Sequence, residues 1–293
     1  MSLLSIFLDT LISGIMIGAI YGLAGIGLSI VFGVLHIINF AIGEFIILGA
    51  YITFWLCILF NIHPLLAVLS SSFIMLLISF AAEKLTIEKI MKSEQFALAT
   101  LLITYALSLL LRNLELILWT GDFRSIPIPP GYSFLISIGG SNVYFIRILT
   151  LIISMLTAIF LYLFFTRTMI GRAIRAVADD IETSQLMGIS PKRIFLITFG
   201  LGGAVAGIAG SLFGMIYPFN PASAGVYGTK AFIVVVLGGM GSMLGAFVGG
   251  ILLGIVEAFS GVIWLGGMKE VISYLMFIIV LMFRPTGLFR GRV

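Results

Sequence analysis

The sequence has very little charge and almost no cysteine or histidine. Charged residues make up 10% of the chain and hydrophobic residues 61%, whereas soluble domains are about 25% charged. So much apolar surface would not stay dispersed in water, which excludes a soluble protein. The single cysteine, Cys57, excludes an intrachain disulfide, and the two histidines, His36 and His63, are too few and too scattered for a metal site. We therefore predict an integral membrane protein with no metal or other cofactor.

Sequence motifs that carry enzyme chemistry are also missing. There is no G-x-x-x-x-G-K-[ST] loop, no H-E-x-x-H, and no Ser-His-Asp set. The glycine-rich stretch GGMGSMLG at 238–245 lacks the lysine of a phosphate-binding loop and lies in an apolar run. Basic residues are not interleaved with aromatic ones, as nucleic-acid binding would require. The chain is therefore predicted not to be an enzyme and not to hydrolyse ATP by itself.

Long apolar runs cover most of the chain. A helix of about 20 apolar residues crosses a bilayer, and the candidate runs are 6–32, 36–59, 64–82, 96–118, 144–166, 194–217, 229–245, 246–264 and 269–283. Glycines join the seventh and eighth runs, which are either two crossings or one crossing and a broken half-helix. We predict a single membrane domain over 1–293, an all-α polytopic bundle of about eight to ten transmembrane segments with glycine-broken helices.

Lysine and arginine are concentrated between the apolar runs. Segments 83–95 and 167–193 and the C-terminal tail hold 11 of the 16 basic residues, so we expect all three in the cytoplasm. The loops 119–143 and 218–228 carry only Arg124 and are predicted to lie outside. No basic residue precedes Lys84, so the first apolar run should remain as a membrane helix rather than a cleaved signal. We expect a multi-pass protein of the inner (cytoplasmic) membrane, with its N-terminus outside if there are nine crossings.

The segment 171–193, GRAIRAVADDIETSQLMGISPKR, holds seven of the 28 charged residues. We predict one amphipathic helix over 172–187, ended by Gly188 at the first position after the cap. One face of this helix would carry Arg172, Arg175, Asp179 and Glu182, with Arg175 and Asp179 paired four residues apart. The helix either lies on the membrane surface or docks a cytosolic protein. Asp180 makes its polar face net acidic, which favours docking.

Polar residues within the apolar runs are candidates for a passage through the membrane. Glu44 lies in INFAIGEFIILGAY, 38–51, and a carboxylate in the membrane marks a functional site or a partner. It either lines a passage or ties helices together. At the ends of the glycine-broken region, Lys230 and Glu257 are expected to reach water at the membrane boundary. The residues that we assign to the passage are Asn39, Gly43, Glu44, Tyr21, Lys230, Gly239 and Gly241.

Four stretches carry a resemblance to a known family. They are INFAIGEFIILGAY, RAIRAVADDIETSQLMGI, KAFIVVVLGGMGSMLGAFVGG and FRPTGLF. In order and spacing they resemble the LivH-type permease subunits of branched-chain amino acid ABC importers, nearly end to end. Glu182-Thr183-Ser184, followed by Gly188, is similar to the E-A-A-x-x-x-G loop by which such permeases engage their ATPases, with Thr183 and Ser184 in place of the alanines. Ile42 departs from the family, whose members often carry histidine there.

The resemblance implies half of a transporter. The chain would pair with a second permease subunit, bind two cytosolic ABC ATPases and receive substrate from an extracytoplasmic binding protein. The residues that would couple it to the ATPases are Arg172, Arg175, Asp179, Asp180, Glu182 and Gly188. Uptake of urea or short amides is an alternative within the family. A self-sufficient secondary transporter or channel, with Glu44 as an ion site, is an alternative from another class, and the missing catalytic cluster argues against a membrane-embedded enzyme.

Overall fold

A computed structural model describes residues 3–91, 93, 95–138, 141–263, 268–284 and 286–289, and over these residues the chain is a bundle of α-helices. The helices are α1 (Leu3–Leu35), α2 (Ile42–Phe60), α3 (Pro64–Leu85), α4 (Ile87–Ile90), α5 (Phe96–Trp119), α6 (Phe145–Arg167), α7 (Met169–Asp179), α8 (Ile181–Leu186), α9 (Pro191–Ile216), α10 (Ser223–Gly238), α11 (Met243–Ile263) and α12 (Lys269–Phe283). Strands β1 (Leu135–Ile138) and β2 (Ser141–Tyr144) form an antiparallel hairpin. The all-α polytopic class is confirmed.

Seven of the described helices are long and apolar enough to cross a membrane, namely α1, α2, α3, α5, α6, α9 and α11. The helices α10 and α12 are shorter, with 16 and 15 residues. The predicted run 229–245 has the wrong boundaries, because α10 begins at Ser223 and ends at Gly238. Gly239 and Gly241 adopt positive φ angles of 100° and 87°, a region that favours glycine. The glycines therefore divide this region into two helices, of which α11 is long enough to cross a membrane and α10 is shorter.

Small residues allow the helices at the centre of the bundle to pack backbone to backbone. Gly14, Gly18 and Gly22 of α1 face α11, and a Cβ atom built on Gly18 would lie 2.6 Å from Ile251 Cα. The small residues of α9 pack in the same way, since Gly207 lies against Gly49 of α2. Close approach of this kind replaces the hydrophobic driving force that helices lack within a membrane.

Replacing Gly254 with alanine is expected to destabilise the α1–α11 contact. A Cβ atom at this position would meet the backbone of Gly14 and Gly18, which cannot rotate away as a side chain would. Overpacking of this kind costs about 1–3 kcal/mol, measurable as a lower melting temperature in detergent. Gly131→Ala is the matched control, because a Cβ atom there would have nothing within 4 Å. Equal melting temperatures for the two variants would contradict the packing.

Two sets of loops lie at opposite ends of α5. Near its first residue, Lys192 Nζ and Glu88 Oε1 are 3.4 Å apart, which joins the segments 83–95 and 167–193. Near its last residue, Arg124 and Phe219 exchange backbone hydrogen bonds of 2.9 and 2.8 Å, which join the loops 119–143 and 218–228. The segments predicted to share one side of the membrane therefore share one end of the bundle. Lys92, Arg290 and Arg292, which contributed to that prediction, lie outside the described residues.

Candidate functional site

The charged segment forms two helices rather than the single helix predicted over 172–187. The chain between α7 and α8 is extended at Asp180, and its carboxylate accepts hydrogen bonds from the backbone N–H groups of Glu182 and Thr183, at 2.9 and 3.2 Å. Aspartate is a strongly preferred residue at the N-terminal cap of a helix. Asp180 therefore starts α8 instead of continuing α7, and this local hydrogen bonding prevails over the continuous amphipathic pattern.

The break changes which charged residues share a surface. Arg172, Arg175 and Asp179 belong to α7 whereas Glu182 belongs to α8, so the predicted single charged face is wrong. The predicted ion pair between Arg175 and Asp179 does not form in the described part of the chain. Instead, the Arg172 guanidinium contacts the Met169 sulfur. The coupling residues therefore form a bent, exposed segment rather than one charged stripe.

Asp180 keeps its negative charge at neutral pH. The Thr183 hydroxyl and the N–H groups of Thr183 and Glu182 hold the pKa of this exposed carboxyl below its ordinary value. Because this pKa is lower in the folded protein, the ionised carboxylate stabilises the folded state at pH values above its ordinary pKa. This stabilisation is lost as the pH falls through the lowered pKa. The cap is therefore fully formed under physiological conditions.

Gly188 ends α8 as the sequence predicts. Its φ angle is 82°, its N–H donates to Gln185 O at 2.9 Å, and the N–H of Ile189 donates to Ser184 O at 3.1 Å. These two hydrogen bonds form a Schellman motif, in which glycine is usual at the left-handed position. A Cβ atom on Gly188 would meet nothing within 4 Å. The backbone conformation, rather than a close contact, therefore requires glycine here, and the surface beside it is open.

Two apolar side chains next to Gly188 project from the loop, and sequence reasoning missed both. Leu186 is 88% exposed and Met187 is 79% exposed, whereas Ser184 in the same helix is buried. Adjacent exposed apolar side chains form the kind of patch that marks contact with a protein or a membrane surface. The sequence Leu-Met-Gly at the predicted helix end carries this signal, because two apolar residues there interrupt an otherwise polar loop. We call Ile181–Met187 the loop tip.

Asn39 and Glu44 line a groove of about 360 Å³ between α2, α5, α10 and the link from α1 to α2. The Asn39 side chain accepts a hydrogen bond from Ala41 N at 3.0 Å and so shapes the link. Glu44 lies in the first turn of α2 and is only 4% exposed. Gly43 does not line the groove, because it packs directly against the backbone of Ala224 in α10.

The groove also contains a cation that sequence reasoning missed. Arg112 and Ser108 of α5 line it together with Glu44. The predicted apolar run 96–118 contains three polar residues, namely Arg112, Asn113 and the buried Glu115. Their position within an apolar run is a signal that the sequence alone carries. Charged residues in a membrane helix face a bundle interior, a cavity or a partner. The groove therefore offers opposite charges on α2 and α5.

Tyr21, Lys230 and Glu257 form a buried cluster that joins distant helices. Lys230 Nζ lies 2.9 Å from Glu257 Oε2 and donates to the Tyr21 hydroxyl at 2.8 Å, while this hydroxyl donates to Glu257 Oε2 at 3.0 Å. Ser273 donates to the other oxygen of Glu257. The side chains of Lys230 and Glu257 are 13% and 7% exposed. The sequence predicted that Lys230 and Glu257 would each reach water at the membrane boundary. That prediction is wrong, because the two side chains pair with and neutralise one another.

Gly239 and Gly241 follow the last residue of α10. They line neither the groove nor a smaller cavity that lies beside the buried cluster. The tail returns to this point, where Leu288 N donates to Leu237 O at 2.8 Å and Phe289 N donates to Gly238 O at 3.0 Å. Carbonyl groups at the end of a helix lack partners within the helix. Leu288 and Phe289 of the tail therefore cap α10, and the two glycines provide the turn that makes room for them.

A bundle of membrane-spanning helices with a polar groove between them defines the class of multi-pass membrane transport proteins. The family described as "Branched-chain amino acid transport system / permease component" matches residues 10–281. The branched-chain amino acid transport permease BraD of Pseudomonas aeruginosa is 34% identical over 96% of this chain and 95% of its own length. LivH of Escherichia coli K12 is 31% identical over 96% and 95%. LivM of the same strain is 28% identical over 92% of this chain and 67% of its own length.

The chain belongs to the family of branched-chain amino acid transport permease components. It is a transmembrane permease subunit, and the prediction of a permease rather than an enzyme is confirmed. No solved structure matches the chain.

Proposed function

We propose that this chain forms half of the translocation pathway of an ABC importer for branched-chain or similar hydrophobic amino acids. BraD and LivH, which are named as branched-chain amino acid transport permeases, support this substrate class. The observation that carries the proposal is the groove that contains Glu44 and Arg112. Ionisable side chains within a membrane bundle usually mark the path of a substrate or an ion.

A second permease subunit would close this groove. The rim of the groove carries Phe40 and Tyr105, which are about half exposed, and a Cβ atom on Gly225 of α10 would meet nothing within 4 Å. Lipid covering this side would contact Arg112 and Ser108, whereas a protein partner can satisfy their polar groups. The similarity of the chain to LivM as well as LivH supports a related permease as that partner. The passage would then run between the two subunits.

Two cytosolic ATPases would bind the other functional surface, which is the α7–α8 segment with its loop tip. Nucleotide-driven movement of these subunits would shift α7 and α8 and so switch the passage between its two openings. The basic segments 83–95 and 167–193 share an end of the bundle, which supports a cytoplasmic position for this end in the inner membrane. An extracytoplasmic binding protein would then deliver substrate to the opposite end.

Glu44→Gln is expected to lower leucine uptake about ten-fold or more, equivalent to about 1.4 kcal/mol. The change keeps the shape of the side chain but removes the negative charge opposite Arg112. Uptake would be measured in cells that carry the partner subunits and lack other leucine transport, with the amount of permease in the membrane determined in parallel. Glu88→Gln, at the cytoplasmic end of the bundle, should leave uptake unchanged. Unchanged uptake by Glu44→Gln would remove Glu44 from the passage.

Energy source and substrate separate the proposal from its alternatives. Uptake should require ATP hydrolysis by the partner subunits and should be inhibited by unlabelled isoleucine and valine rather than by urea or acetamide. Inhibition by the short amides alone would establish the alternative within the family. Proton-driven leucine uptake into vesicles that contain this chain alone would instead establish a secondary transporter.

A further inference from the structure

A second cavity, of about 200 Å³, lies beside the buried cluster, at the end of the bundle that carries the loops 119–143 and 218–228. Four aromatic side chains and two lysines contribute to its lining, namely Tyr21, Phe213, Tyr217, Tyr227, Lys230 and Lys269. Pockets for drug-sized ligands have volumes of roughly 300–1,000 Å³. This cavity is smaller and suits a molecule of the size of a single amino acid.

The lining of the cavity has an excess of positive charge. Glu257 is the one carboxylate among its lining residues, and both of its oxygens already accept hydrogen bonds from the cluster. Lys230 neutralises it and donates two hydrogen bonds, although a lysine ammonium has three N–H donors. Lys269 lies across Gly261, and a Cβ atom at Gly261 would lie 3.2 Å from its Nζ. Among the residues that the structure describes, one lysine charge and one Lys230 donor therefore remain for a ligand.

We propose that this cavity binds the carboxylate of a small amino acid with an apolar side chain. Lys269 and the remaining donor of Lys230 would hold the carboxylate, and Ile17, Phe213 and Ala258 offer apolar walls to the side chain. Hydrogen bonds between ionised partners of this kind are about twice as strong as neutral ones. The role of the cavity as a waiting site for the transported amino acid rests on the proposed function, whereas its preference for a carboxylate follows from its lining alone.

One helix connects this cavity to the groove. Tyr227 and Lys230 of α10 line the cavity, while Gly228 and Thr229, from the same turn, line the groove. A ligand that binds Lys230 therefore contacts the helix that also forms a wall of the groove. This arrangement places the proposed site on another face of α10 from the groove, at the level of the same helical turn.

The test compares three ligands on the purified full-length chain in nanodiscs of phosphatidylcholine. Radiolabelled leucine is competed with 4-methylpentanoate, which keeps the carboxylate, and with isoamylamine, which keeps only the ammonium group. We expect competition by 4-methylpentanoate and none by the amine. Lys269→Gln should weaken leucine binding about ten-fold or more, since it removes a hydrogen bond between ionised partners. Lys269→Arg should retain binding, and Lys192→Gln, at the opposite end, is the matched control.

Competition by the amine as strong as that by the carboxylate would overturn this proposal. Leucine binding that Lys269→Gln leaves unchanged would also overturn it. A phospholipid headgroup could also supply an anion at this end of the bundle, so a parallel series uses nanodiscs with phosphatidylglycerol. If that lipid blocks leucine binding only when Lys269 is present and 4-methylpentanoate does not bind, the site is a lipid site. If the wild-type chain does not bind leucine in nanodiscs although uptake in cells is normal, this site is rejected and the proposed function is left intact.

Discussion

Replacement of both Leu186 and Met187 with glutamate is expected to abolish uptake while the permease remains folded in the membrane. The two side chains are 88% and 79% exposed, so their replacement should change the free energy of unfolding by no more than about 0.5 kcal/mol. At an interface with an ATPase they would be buried, and the few side chains at the centre of an interface that carry most of its binding energy contribute about 2 kcal/mol or more each. Two glutamates would remove this apolar contact and place two negative charges in its position.

Copurification of the ATPase with a tagged permease measures this effect directly. Gln185→Glu is the control, because it adds a negative charge in the same helix without removing apolar surface, and the ATPase should still copurify. Asp180→Ala gives an intermediate test, since loss of the cap destabilises α8 and loosens the loop tip without changing its exposed apolar side chains. Normal copurification and uptake with the Leu186 and Met187 double variant would show that the loop tip is not the docking surface.

The helical class and the division of the chain into apolar helices could be predicted because both follow from local properties of the sequence. Apolar runs give the spans, and glycines at 239 and 241 give the break, since the positive φ angles there are a property of single residues. The end of α8 at Gly188 was predictable for the same reason. The break at Asp180 was not, because α7 and α8 are both amphipathic and their periodicity continues across it. Only the hydrogen bonds to Glu182 and Thr183 decide that a new helix begins.

The pairing of polar side chains could not be predicted, because it depends on tertiary packing. Lys230 and Glu257 are separated by 27 residues, and Tyr21 precedes Lys230 by 209. Hydropathy places Lys230 and Glu257 near the ends of apolar runs and says nothing about which neighbours they or Tyr21 meet. Arg112 differs, since its position within an apolar run marks it without any tertiary information. The missed part of the groove was therefore readable from the sequence, whereas the composition of the buried cluster required the fold.

Lys230→Met is expected to lower the stability of the permease by about 3–5 kcal/mol, because it leaves the buried Glu257 carboxylate without its cation. Tyr21 and Ser273 would still donate to that carboxylate, but two hydroxyl groups do not neutralise a charge. The double variant Lys230→Met, Glu257→Met should recover most of the loss, since a buried ion pair replaced by apolar side chains is often neutral or stabilising. Melting temperatures in detergent measure both effects.

The exposed pair Lys192–Glu88 provides the matched control. Its side chains are 59% and 38% exposed, so Lys192→Met should cost no more than about 1 kcal/mol. Equal losses for Lys192→Met and Lys230→Met, or a double variant no more stable than Lys230→Met alone, would contradict the buried pair. If the double variant is stable and still transports, the pair serves to hold α10 against α11. If it is stable but transport fails, the charges act in transport itself, because the fold no longer depends on them.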